Sequence, residues 1–121
     1  MLTGSKAFSG FSTDDVPAAR RFYEETLGLR VSEENGMLTL HLAGGRDTLV
    51  YPKPNHVPAE YTTLNFPVAD IEATVRELAA KGVVFDTGPG IDDLGVHRGP
   101  GPLIAWFTDP AGNILSVIQE S

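Results

Sequence analysis

The sequence predicts an α+β fold built from two tandem βαβββ modules. An internal repeat, a pair of matching helix starts and a closing hairpin carry that prediction. Residues 11–23, FSTDDVPAARRFY, align without a gap with residues 66–78, FPVADIEATVREL. The alignment superposes Phe11 on Phe66, Asp15 on Asp70, Val16 on Ile71, Ala18 on Ala73, Arg21 on Arg76 and Tyr23 on Leu78. A repeat of this kind marks one supersecondary unit used twice. In each copy the Asp is the helix N-cap and an apolar helical face follows it. The third observation is the stretch 103–119, LIAWFTDPAGNILSVIQ. Pro110 suits the second position of a type I turn, Asp109 can bond back onto the turn backbone, and Gly112 supplies a positive φ. The apolar flanks therefore read as two strands folded on each other.

In chain order, Lys6 to Thr13 reads as a strand. A helix follows with Pro17 in its first turn, an apolar face of Val16, Ala19, Phe22, Tyr23 and Leu27, and Gly28 as its stop. Strands are expected at 29–33, 37–42 and 48–52, joined by turns at Asn35-Gly36 and at Gly44-Gly45-Arg46-Asp47. These make module one, residues 5–53, and the polar, proline-rich stretch 54–60 is an extended connector. Module two, residues 61–121, repeats the plan with Ile71, Val75, Leu78 and Ala79 as the buried helical face and Gly82 as the stop. Val83 to Asp86 is its next strand, and 103–108 with 114–119 are its last two. Residues 87–102, TGPGIDDLGVHRGPGP, are too long and too rich in Gly and Pro for a hairpin turn, and suit a lid or else a disordered insertion.

Composition bounds the function. The 121 residues suffice for one domain, and 41% hydrophobic with 21% charged residues is ordinary for a globular chain. A formal net charge of −7 argues against nucleic acid and anionic membrane as partners. With no Cys there is no disulfide, thiolate nucleophile or cysteine-based metal site. The start, MLTGSKAFSG, lacks the apolar segment of a signal peptide and no run reaches bilayer length, so a cytoplasmic protein is expected. No Ser-His-Asp order, phosphate loop or redox motif appears along the chain.

The paired modules, FYEETLGL at 22–29 and DPAGN at 109–113 resemble the vicinal-oxygen-chelate superfamily, the group of glyoxalase I, bleomycin-resistance proteins and extradiol dioxygenases. The resemblance covers nearly the whole chain. It implies a curved, mostly antiparallel mixed sheet around a cavity, a homodimer, and in the enzymes one divalent metal held by His and Glu. Carried over, two ligand positions fall at Phe8 and Thr63, ahead of the N-cap Asp residues. The others fall at Val50 or Tyr51, with the register open by one residue, and at Ser116. Such a metal needs imidazole or carboxylate donors at about 2.0–2.2 Å, and these positions offer none. No metal and no cofactor are expected. The three histidines, His41, His56 and His97, share no ligand spacing.

The resemblance therefore points to metal-independent binding of a small molecule. Phe8, Tyr51, Thr63, Asn65, Trp106 and Ser116 are the candidate ligand-binding residues, because aromatic walls with a few polar groups make a small-molecule pocket. Asp92, Asp93 and His97 of the loop are candidate acid–base residues for a lyase-like or isomerase-like alternative. A third reading is an interaction module with its cavity filled by side chains.

Overall fold

A computed structural model describes residues 1–120 of the chain. Backbone contacts divide the chain into two compact units, Met1–His56 and a second beginning at Val57. Both are βαβββ modules. The first contains β1 (Ser9–Thr13), α1 (Val16–Arg21), β2 (Arg30–Glu34), β3 (Met37–Leu42) and β4 (Arg46–Pro52). The second contains β5 (Thr62–Pro67), α2 (Ile71–Ala80), β6 (Val96–His97), β7 (Leu103–Thr108) and β8 (Ile114–Gln119). Their four-stranded sheets have corresponding orders, β1-β4-β3-β2 and β5-β8-β7-β6. The first strand of each is parallel to the last, and the remaining pairs are antiparallel.

The first unit's helix begins as the sequence predicts, with the Asp15 carboxylate accepting from the Ala18 amide at 3.0 Å. This satisfies one of the donors that a helix start leaves without a partner. At Phe22 the helix widens into a π-helical stretch, Phe22–Thr26, and the Leu27 amide donates to the Phe22 carbonyl at 3.0 Å. The repeat fixes where the helix starts but carries no signal for that extra residue per turn. Ala19 and Tyr23 are buried, and the Tyr23 ring lies 6.0 Å from that of Phe11. Leu38, Leu40, Thr48 and Val50 are buried on the same sheet face as Phe11 and Thr13. Asn35 (φ 55°) and Gly36 (φ 75°) form the β2–β3 turn, in the left-handed region that primed hairpin turns require.

In the second unit Asp70 caps α2 through the Ala73 amide at 3.1 Å. Gly82 (φ 94°) ends the helix, with the Val83 amide reaching the Leu78 carbonyl and its own amide reaching Ala79, a Schellman arrangement. Ile71 and Val75 are buried, as are Ala105, Phe107, Leu115 and Val117 of the sheet. The segment expected as a strand at 83–86 keeps the alternation of one, with Val83 and Phe85 buried and Val84 exposed. It is nevertheless not a strand. Asp86 gives β7 one amide bond, to the Trp106 carbonyl, while the edge of β7 is taken by Val96 opposite Ala105 and His97 opposite Ile104. The last element of the second sheet thus comes from inside the Gly/Pro-rich loop.

Candidate functional site

Strand alternation sorts each sheet into a helix-covered face and an opposite face. On the opposite face of the first sheet the register places Arg30 beside His41, His41 beside Asp47, and Ser12 beside Tyr51. Here three strands bring together a row that no reading along the chain reveals. His41 Nδ1 lies 3.2 Å from Asp47 Oδ1, and its Nε2 lies 2.8 Å from Ser32 Oγ. This is the spatial order of nucleophile, base and orienting acid. The row is open to water, however: Ser32 is exposed and the Asp47 side chain is 53% exposed. It presents its polar atoms to solvent, without the enclosure that gives a triad its force.

Beside that row lies a groove of about 770 Å³ between residues 6–9, which lead into β1, and residues 45–47 at the start of β4. Its wall includes Phe8, an exposed aromatic side chain at 68%, together with Lys6, Arg46 and Asp47. The other first-unit candidate, Tyr51, is 37% exposed and stands beside Ser12, whose Oγ lies 2.5 Å from His56 Nδ1.

The second sheet assembles the remaining ligand-binding candidates. Ser116 pairs with Asn65 on one side and Trp106 on the other. Ser116 Oγ donates to Asn65 Oδ1 at 2.6 Å, and Trp106 Nε1 donates to Thr62 Oγ1 at 3.2 Å. Thr63 sits at an irregularity in the β5–β8 register and its hydroxyl donates to the Ile114 carbonyl at 3.0 Å. Ser116 is fully buried, while Asn65 is exposed. The His97 and Trp106 rings pack edge to face with their centroids 5.8 Å apart, so His97 joins this group from β6.

The loop acids do other work. Asp92 accepts the amides of Leu94 and Val96, each at 2.9 Å, and Arg98 Nε at 2.6 Å. Arg98 also bonds Glu72 on α2, which fastens the loop to the helix. The hydrogen bond from Arg98, supported by the two amides, holds the Asp92 carboxyl below the usual carboxylate range. The Asp92 and Glu72 carboxylates in turn push Arg98 up. Asp93, its neighbour, is exposed.

The registers also settle the first unit's counterpart of Ser116. Phe11 pairs with Val50, and Phe66 pairs with Val117. Since Phe11 and Phe66 are equivalent in the repeat, Ser116 corresponds to Leu49, one residue before the pair suggested by sequence. The four positions are therefore Phe8, Leu49, Thr63 and Ser116, a phenyl ring, an alkyl chain and two hydroxyls. Neither unit's pair offers the imidazole or carboxylate donors of a His and Glu metal site. Among the described residues, no three His, Cys, Asp or Glu side chains come together as a metal-binding group.

The fold and these registers define a duplicated βαβββ protein, and comparison with known proteins gives its family. The model of the Glyoxalase/Bleomycin resistance protein/Dioxygenase superfamily matches residues 9–117, and the chain belongs to that superfamily. The chain is similar in structure to TnmS3, an antibiotic binding protein from Streptomyces sp. CB03234, at 24% identity and TM-score 0.73, covering 98% of this chain and 99% of that one. It is similar to the glyoxalase family protein from Enterococcus faecalis at 23% identity and TM-score 0.72, over 98% and 99% of the two chains. It is also similar to lactoylglutathione lyase from Agrobacterium tumefaciens at 20% identity and TM-score 0.70, over 97% and 95%. At these identities the likeness is one of fold, which hosts many chemistries. The search of curated proteins gave no match.

Proposed function

We propose that this chain is a metal-independent, small-molecule-binding member of its superfamily, acting as a homodimer. The observation that carries the reading is the donor set: the positions where the superfamily's enzymes hold their metal are occupied by Phe8, Leu49, Thr63 and Ser116. A site without imidazole or carboxylate donors cannot polarise a substrate through a metal. What it offers instead is apolar surface with a few directed polar atoms, the ordinary make-up of a ligand pocket. The first unit offers Phe8 and Tyr51 for such contacts, and the second offers Trp106, Thr63 and the exposed Asn65, which Ser116 holds from beneath. The structural likeness to an antibiotic binding protein makes a partly apolar natural product a reasonable ligand class.

Purification without added metal, followed by elemental analysis and by melting in zinc, nickel, iron and manganese, tests the reading. Sub-stoichiometric metal and unshifted melting are expected. Stoichiometric metal, or a large metal-dependent stabilisation, would overturn it.

A further inference from the structure

We infer that the groove of the first unit selects a flat apolar molecule bearing one anionic group, with Phe8 taking the ring and Lys6 and Arg46 taking the charge. The inference deepens the small-molecule reading above and rests on it.

The groove is within the size range of small-ligand sites, about 300–1,000 Å³, at about 770 Å³. Phe8 leaves 68% of its surface in water, an arrangement that folding alone does not favour. A flat apolar ligand would cover it. The charges around it favour an anion. Arg20, Arg76 and Arg98 each stand in an ion pair with a glutamate. Lys6 and Arg46 stand in no ion pair among the described residues, as is also true of Arg21, Arg30, Lys53 and Lys81, but Lys6 and Arg46 are the two cations that line the groove. The one groove carboxylate, Asp47, is engaged by His41. In a protein of formal net charge −7, this groove sets two cations against one carboxylate. An anion therefore finds local attraction here and repulsion over most of the remaining surface. A planar guanidinium adds a two-point match to a carboxylate, sulfonate or phosphate.

The test uses a matched pair of fluorescent probes. One is 8-anilinonaphthalene-1-sulfonate, and the other is N-phenyl-1-naphthylamine, which has nearly the same rings without the sulfonate. The sulfonate should bind the whole protein more tightly, and Lys6→Gln with Arg46→Gln should weaken it about tenfold, or about threefold per exposed charge. Neutral probe binding should not change. Phe8→Ala should weaken both probes about tenfold through the lost ring contact. All three side chains are exposed, so far-UV circular dichroism should report an intact fold for each variant. Equal binding of the two probes, or sulfonate binding indifferent to Lys6 and Arg46, would overturn the inference. If both probes bind and respond to Trp106→Phe instead, the groove assignment falls while small-molecule binding stands. If neither binds the wild-type protein, both fall.

Discussion

At the scale of single residues, Asp109 holds more together than its place in a turn suggests. Its carboxylate is buried and accepts the Ala111 and Asn113 amides, each at 2.9 Å, and the Asn113 side-chain amide at 3.0 Å. Its own carbonyl accepts the Gly112 amide, closing the turn that Pro110 and the positive φ of Gly112 predispose. Asp109→Ala strands these donors in a place that water does not freely reach. Hydrogen bonds to a charged group contribute about 1.5–3 kcal/mol each, and they are coupled here, so a loss of about 3 kcal/mol is expected. Thermal melting should fall by roughly 10 °C for a chain of this size. A shift within about 2 °C would show that the turn holds without its carboxylate. Local chemistry of this kind is the part of the molecule most legible in sequence, because Asp, Pro and Gly act on their own near neighbours.

At the scale of elements, the loop at 87–102 carries a network rather than an open lid. Asp92 receives two loop amides and Arg98, and Arg98 reaches Glu72 in the first turn of α2. The Asp92 carboxyl is held below its ordinary range, chiefly by the Arg98 hydrogen bond. Its folded-state pKa is therefore lower than its unfolded one, and Asp92 stabilises the fold above the ordinary carboxylate value, about 3.9. That stabilisation is lost as pH falls through the depressed folded value. Asp92→Asn should accordingly melt below wild type at pH 7, and the gap should close as the pH drops below about 4. A gap of constant size across that range would mean that the carboxylate's charge contributes nothing. The expected strand at 83–86 shows the limit of pattern reading here. Val83 and Phe85 are buried and Val84 is exposed, as in a strand, but that pattern does not say which segment wins the edge of β7. That competition is decided by tertiary pairing, which a single stretch of sequence does not encode.

At the scale of the whole molecule, the fold was legible because it is written twice. The repeat brings Phe11 over Phe66 and Asp15 over Asp70, and the two sheets follow with one strand order. The candidate site was legible only in part. The resemblance placed Ser116 but left its first-unit counterpart open, and the pairings of Phe11 with Val50 and Phe66 with Val117 make that counterpart Leu49. The Ser32, His41 and Asp47 row and the groove around Phe8 depend on side chains from separate segments, so no spacing along the chain announces them. Assembly is the remaining question at this scale, and charge makes it testable. A homodimer brings two chains of formal charge −7 together, −14 in all, against whatever its interface gains. Exposed apolar side chains such as Val57, Tyr61 and Val84 are available to be covered in such an interface. The repulsion acts over about 30 Å at 0.01 M salt and about 8 Å at 0.15 M. Light scattering at 0.15 M salt should therefore give twice the chain mass of 13.0 kDa. Lowering the salt should raise the dissociation constant, because the unscreened charges oppose association while apolar burial is little changed. A mass of one chain at every protein concentration would exclude the dimer, and a dimer that tightens at low salt would show an interface held by opposite charges instead.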